Sequence, residues 1–145
     1  MSLNGKVVVV TGAAGGFGRV ICSSLLEGGA KVIAIDVSTH ALEMLQSENT
    51  RFQAETLVTK AIDISDYSQC KTAIEEGATR FSGIDILINN AAVGMGHVRP
   101  DHLINLVSID EITPKIWDKV IGVNLTGPWN MTKCSIDFLR RSKNA

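Results

Sequence analysis

Cysteine is scarce in this chain and widely scattered. Cys22, Cys70 and Cys134 form no CxxC pair, which excludes a disulfide framework or a zinc site and fits reduced thiols in a cytosol. No metal is expected elsewhere: His97, Asp101 and His102 surround Pro100 in a loop, with no helix to set ligand geometry. Long apolar runs are missing as well. Val7 to Val10 is far too short for a signal-peptide core or a membrane span, and no other stretch qualifies. Neither export nor a membrane partner is therefore expected, and a cytoplasmic location is. Charge of one sign is also lacking: 14 Lys and Arg stand against 15 Asp and Glu, for a net charge of -1. Without a basic run, nothing points to nucleic acid or an anionic membrane surface. Low-complexity segments, Pro/Ser-rich linkers and internal repeats are absent too.

What remains is an ordinary globular composition, 45% hydrophobic and 20% charged over 145 residues. That length suits one domain, burying roughly 70% of its unfolded surface. The most informative stretch is residues 7 to 18. The four β-branched residues Val7 to Val10 favour a strand buried on both faces, because a half-exposed strand would alternate with polar residues. Gly12, Gly15, Gly16 and Gly18 follow, and apolar positions then recur at helical spacing (Phe17, Val20, Ile21, Leu25). A strand, a tight glycine turn and a helix start are predicted. Unpaired N–H groups and a partial positive charge at such a start attract an anion, and glycines let the backbone come close to it. A tight strand-to-helix connection without any ligand would favour glycine as well.

Strand and helix signals alternate along the rest of the chain. The first helix is predicted over Gly16 to Glu27 and ends at Gly28-Gly29. Lys31 to Asp36 reads as a second strand, followed by a short helix capped by Ser38 or Thr39. Val58 to Ile64 reads as a third strand, and Ser65 or Asp66 caps the next helix. That helix has apolar or small residues on one face at 67, 70, 74, 77, 78 and 81. Ile84 to Ile88 is the fourth strand, ending at Asn89-Asn90. Thr113-Pro114 opens a helix that continues, with one interruption, to about Arg141. Right-handed βαβ crossovers predict an α/β fold: a Rossmann-like, doubly wound parallel sheet in the order 3-2-1-4. Its crevice lies at the carboxyl ends of strands one and four, where the glycine turn, Asp36, Asp63 and Asn90 converge.

Asp36 follows Gly18 by 18 residues, and a carboxylate at that strand end can accept both ribose hydroxyls of an adenosine. It would repel a 2′-phosphate by roughly 1 to 4 kcal/mol at about 4 Å. The nearest basic residue, Arg19, is expected to face solvent, so NAD is favoured over NADP. Further on, Pro128 lacks an N–H and lies four residues after Asn124, so the Asn124 carbonyl loses its helical donor. A kink is expected there, and the carbonyl either holds another partner such as water or simply marks the kink. Trp117 and Trp129 are expected to pack in a core or a subunit contact.

In this order, Thr11-Gly-x-x-x-Gly-x-Gly18, Asp36, Asp63-Ile64, Asn89-Asn90-Ala91-Ala92 and Val123-Asn124-Leu125 resemble the motifs of the short-chain dehydrogenases/reductases, over essentially the whole chain. The resemblance implies an NAD-binding portion of such an enzyme, one that moves hydride between the nicotinamide and a secondary alcohol or ketone substrate. It implies that Gly12, Ala14, Gly15, Gly16, Phe17 and Gly18 hold the pyrophosphate. By the same likeness Asp36, with Val37 beside it, holds the adenosine ribose, and Asp63, with Ile64 beside it, holds the adenine amino group. Asn90, Ala91 and Ala92 line the cofactor, although the family usually has Gly where Ala92 stands. Asn124 is placed in the catalytic set, through a carbonyl-bound water.

The family's chemistry also requires a Ser, a Tyr and a Lys four residues after that Tyr, all beyond a fifth strand. The one tyrosine here is Tyr67, and Lys71 does follow it at that spacing. This pair is rejected as catalytic, because it opens the helix after the third strand, on the adenine side, with Tyr67 expected on the apolar face. Residues 1 to 145 are therefore read as a dinucleotide-binding domain without the carboxy-terminal catalytic segment, inactive on its own. The alternative is a truncated NAD-binding or oligomerisation module with no activity. An unpaired edge on the fourth strand and a bare face on the long helix point to a homo-oligomer.

Overall fold

The computed structural model describes residues 3–52 and 55–142. Four parallel strands, β1 (Val7–Thr11), β2 (Lys31–Asp36), β3 (Leu57–Ala61) and β4 (Ile86–Ile88), form a sheet in the order β3-β2-β1-β4. Five α-helices flank it: α1 (Gly16–Glu27), α2 (Thr39–Glu48), α3 (Tyr67–Phe81), α4 (Pro114–Ile121) and α5 (Gly127–Arg141). The doubly wound sheet expected from the alternation of strand and helix signals is thus observed, in the expected order.

Successive strand residues point to opposite faces, and here both faces are covered, which is why β1 and β2 contain uninterrupted apolar runs. Val8, Val10, Val32 and Ala34 pack with Cys22, Leu25 and Leu26 of α1 and with Leu42 and Leu45 of α2. Val7, Val9, Ile33 and Ile35 pack on the other face with Cys70, Ile74 and Phe81 of α3 and Met131 of α5. Register follows from these pairings: Val7 lies opposite Lys31 and Thr11 opposite Ile35, so β1 and β2 start level and β2 carries Asp36 one residue beyond the end of β1.

Local chemistry sets the helix ends. The Ser38 hydroxyl accepts the Ala41 N–H at 3.2 Å, which makes Ser38 rather than Thr39 the cap of α2. Asp66 rather than Ser65 caps α3, accepting the Ser68 and Gln69 N–H groups at 2.8 and 3.1 Å. The Thr113 hydroxyl accepts the Ile116 N–H ahead of Pro114. Two strands are shorter than their apolar runs suggested. β3 ends at Ala61 instead of Ile64, because β2 offers its last pairing residue, Asp36, opposite Ala61. One more bond, Ile62 N–H to the Asp36 carbonyl at 2.9 Å, closes the ladder, and the chain turns away. β4 starts at Ile86 instead of Ile84, because the Val7 N–H is already held by the Asp85 carboxylate at 2.8 Å.

The interruption of the last helix is a π-helical turn, Gly122–Thr126, between α4 and α5. Pro128 falls in the first turn of α5, where its missing N–H is tolerated. One side chain departs from expectation, and for two others the core alternative falls while the subunit contact stays a proposal. Tyr67 is 44% exposed and tilts against Trp129, 6.3 Å between ring centroids, rather than joining the buried face of α3. Trp117 and Trp129 are 55% and 60% exposed, so neither is in the core.

Candidate functional site

At the carboxyl ends of β1, β2 and β4 lies a crevice of about 550 Å³. Its wall begins with the glycine turn. Gly12 has a φ of 62°, and a Cβ there would stand 2.7 Å from the Ala91 backbone. A Cβ at Gly18 would stand 2.0 Å from the Gly12 carbonyl oxygen. Any side chain at either position would force β1, α1 and the β4 end apart. Gly15 is the N-cap of α1 and supplies no side-chain acceptor to the first turn, which also lacks an acidic residue. A Cβ on Gly16 would meet open space. The helix start is therefore accessible, electropositive and without an anion of its own, so it fits a phosphate-bearing ligand.

Asp36 closes the end of β2. Its carboxylate accepts the Ala14 N–H at 3.0 Å on one oxygen and the Ser38 N–H at 3.1 Å on the other. These bonds orient it, and each oxygen keeps lone-pair capacity for a hydroxyl donor. Asp63 lines the crevice from beyond β3. Its Oδ1 accepts both the N–H and the hydroxyl of Ser65, at 2.9 and 2.7 Å. Asn90 serves as a brace: its Nδ2 donates to the carbonyls of Thr11 and Gly12 at 3.0 and 3.1 Å. The buried Thr11 hydroxyl accepts the N–H groups of Asn90 and Ala91, each at 3.1 Å, so β1 and β4 are locked together where the crevice opens.

Gly12, Gly15, Gly16, Phe17, Gly18, Asp36, Val37, Asp63, Ile64, Asn90, Ala91 and Ala92 all line this one crevice. Two expected residues do not. Ala14 is buried, its N–H turned to Asp36 and its carbonyl accepting the Arg19 Nε at 2.9 Å. Asn124 sits in the π turn and is fastened by its side chain. Its Oδ1 accepts the Val93 N–H at 2.8 Å, and its Nδ2 donates to the Val93 carbonyl at 2.9 Å. Arg19 does not face solvent freely either, since it folds back over the turn and pairs with Glu48 of α2. Ile35, Val93, Lys119 and Val123 line the crevice and were not foreseen. By sequence Ile35 belongs to a buried strand, Val123 enters only within the Val123-Asn124-Leu125 motif, and nothing marks Val93 or Lys119. Lys119 of α4 and Val123 of the π turn reach the crevice only because α4 ends at the strand ends.

The rest of the chain offers little competing chemistry. Burial pushes the Cys22 thiol up to about 12. Burial, then the neighbouring Cys134, Asp66 and Asp63, pushes Cys70 to about 12 as well. Both thiols are protonated at neutral pH and make poor nucleophiles. A second groove, of about 840 Å³, lies between α3 and α5 and is lined by Tyr67, Lys71, Trp129 and Cys134 among others. Tyr67 and Lys71 thus face this groove and not the crevice.

Comparison with known proteins places this geometry in context. A family model described as short chain dehydrogenase matches residues 6–145. The chain is 30% identical over 143 residues to a short chain dehydrogenase/reductase of Gibberella zeae, covering 99% of this chain and 49% of that protein. It is 33% identical over 148 residues to a 3-oxoacyl-[acyl-carrier-protein] reductase of Thermotoga maritima, covering 99% and 54%. Among solved structures, a 3-ketoacyl-(acyl-carrier-protein) reductase from Brucella melitensis complexed with NADH superposes with a TM-score of 0.81. That match has 31% identity and covers 94% of this chain and 51% of the other. The chain spans about half the length of these relatives.

Proposed function

Because the chain belongs to the short-chain dehydrogenase/reductase family, we propose that its crevice holds NAD for hydride transfer with a secondary alcohol or ketone. The observation that carries this is the oriented Asp36 carboxylate beside an uncapped helix start in one crevice. The N–H groups of the first turn of α1 would donate to the pyrophosphate, with Gly16 and Phe17 beneath it. Asp36 would accept the ribose hydroxyls and Asp63 the adenine amino group. A 2′-phosphate would meet the Asp36 charge, and Arg19, held by Ala14 and Glu48, is not available to offset it. NAD is favoured over NADP on that ground. When bound, the nicotinamide supplies or accepts the hydride. Asn124 enters catalysis only through its main-chain carbonyl, which finds no N–H on Pro128 and can hold a water; its side chain fixes the Val93 wall.

A second reading has its own support. The one tyrosine of these 145 residues lines the α3–α5 groove, away from the crevice. On that ground the chain alone would bind NAD without turning over a ketone. Titration calorimetry with NADH and NADPH tests the cofactor site: NADH should bind about tenfold tighter or more, and equal affinity would overturn the role given to Asp36. Oxidation of NADH with a panel of ketones separates the two readings, since turnover by this chain alone would remove the second.

A further inference from the structure

The adenine end of the crevice is not self-supporting. Asp63 and Ile64 lie in the short connection between β3 and α3, after the last ladder bond has been made. At Asp63 the connection is held locally, its N–H donating to Gln69 Oε1 and its carbonyl accepting the Asp66 N–H, each at 3.1 Å. At Ile64 and Ser65 it is held by the helix packed behind it. Asn130 of α5 is buried to 2% exposure, and its Nδ2 donates to two carbonyls of the connection, Ile64 at 2.9 Å and Ser65 at 3.1 Å. The Ile64 carbonyl also accepts the Cys70 thiol at 3.2 Å. On the same helix, Gly127 lies against the Ile64 side chain so closely that a Cβ there would stand 2.6 Å from Cδ1.

We propose that Asn130 is the positioning residue for adenine recognition, setting the Asp63–Ser65 connection at the depth the nucleotide needs. The buried Ile64 carbonyl and the part-buried Ser65 carbonyl both take an amide donor from one side chain, Asn130, whereas the Cys70 thiol, a weaker donor, reaches Ile64 alone. Ser65 is in turn the residue whose N–H and hydroxyl orient the Asp63 carboxylate. A chain of contacts therefore runs from Asn130 through Ser65 to Asp63, and Asn130 itself does not line the crevice. It makes the cofactor site depend on α5, an element whose sequence has no nucleotide-binding signal.

This inference rests on the NAD reading and is tested by a double-mutant cycle read as NADH affinity. Asn130→Leu removes the donor at similar volume and is expected to weaken NADH binding about tenfold. Asp63→Ala weakens it as well. In the Asp63→Ala background, Asn130→Leu should then cost less than threefold, because its route to the ligand is already gone. Independent, multiplicative losses would show a merely structural Asn130 and overturn the proposal, as would unchanged affinity in Asn130→Leu. If the wild-type chain itself fails to bind NADH, the NAD reading falls and this inference with it. Gly127→Ala provides a second route should Asn130→Leu not fold: it presses on Ile64 without removing a hydrogen bond. It should weaken NADH in the wild-type background and much less so with Asp63→Ala, and a full loss in both backgrounds would count against the connection as the mediator. Amide hydrogen exchange at residues 63 to 65 supplies a ligand-free readout, with faster exchange expected in Asn130→Leu and an unchanged rate refuting the tether.

Discussion

The two sides of the sheet are built differently. On β1 and β2 the apolar residues are sealed between helices: Val8, Val9, Val10, Ile33 and Ile35 are fully buried. On β4 all three residues are only half-buried, and the segment that follows leaves Leu103, Ile104 and Leu106 about as bare as side chains can be, at 85% exposure or more. Trp117 and Trp129 continue that apolar exposure along α4 and α5. The contrast separates two tasks. The glycine turn and Asp36 stand on a closed core, with Asn90 as the brace from β4, whereas the rest of the β4 side presents apolar surface of the kind that a neighbouring copy or segment covers.

The sharpest way to break this contrast is to cut equal side chains on the two sides. Ile33→Ala should cost about 2 to 5 kcal/mol by chemical denaturation, since it opens a cavity in a sealed core. Ile104→Ala should stay within about 0.5 kcal/mol, and similar losses at both positions would abolish the distinction. Asp36→Asn removes the charge while keeping the shape, so the preference for NADH over NADPH should fall about tenfold with little change in stability. On the bare side, Trp117→Glu combined with Trp129→Glu should shift a proposed homo-oligomer to monomer by size-exclusion chromatography and leave NADH affinity intact. An unshifted elution volume would remove these indoles from any subunit contact.

The smallest expected effect lies at the base of the sheet. Asp85 clasps the start of β1 to the end of α5, accepting the Val7 N–H and the Ser142 hydroxyl. Partial burial pushes its carboxyl up, but those two bonds and the Lys6 charge outweigh it and hold the group below the usual carboxylate range. A carboxyl depressed in the folded state contributes stability that is present above roughly pH 4 and lost as pH falls through its folded value. Asp85→Asn should therefore be less stable than the parent at pH 7, with the gap narrowing on acidification. A gap constant down to pH 3 would dismiss the clasp.

Much of the architecture was legible before any coordinates. Continuous β-branched runs, capping residues and glycine pairs are local signals, and the order β3-β2-β1-β4 follows from them with the handedness rule. The twelve crevice-lining residues that the sequence and its family resemblance pointed to sit at or just beyond strand ends, in the turns and first helical residues that follow, where chain direction brings them together. The misreadings share one cause, a partner distant in sequence. β3 stops where β2 runs out of residues, Ala14 turns to Asp36, Arg19 finds Glu48, and Tyr67 meets Trp129 instead of the core.

Sequence by itself determined the alternation of strands and helices, the bare helix start at Gly15 and Gly16, and the carboxylate at the end of β2, because backbone sterics and hydrophobic period act within a few residues. Tertiary structure alone decided which side of the sheet is sealed and which is bare, that Asn90 braces and does not reach out, that Lys119 lines the crevice, and that Asn130 holds the Ile64 and Ser65 carbonyls behind it. Those outcomes depend on which carbonyls and side chains α4 and α5 meet once they dock, and no periodicity encodes a meeting between residues 60 or more positions apart, such as Asn130 and Ile64.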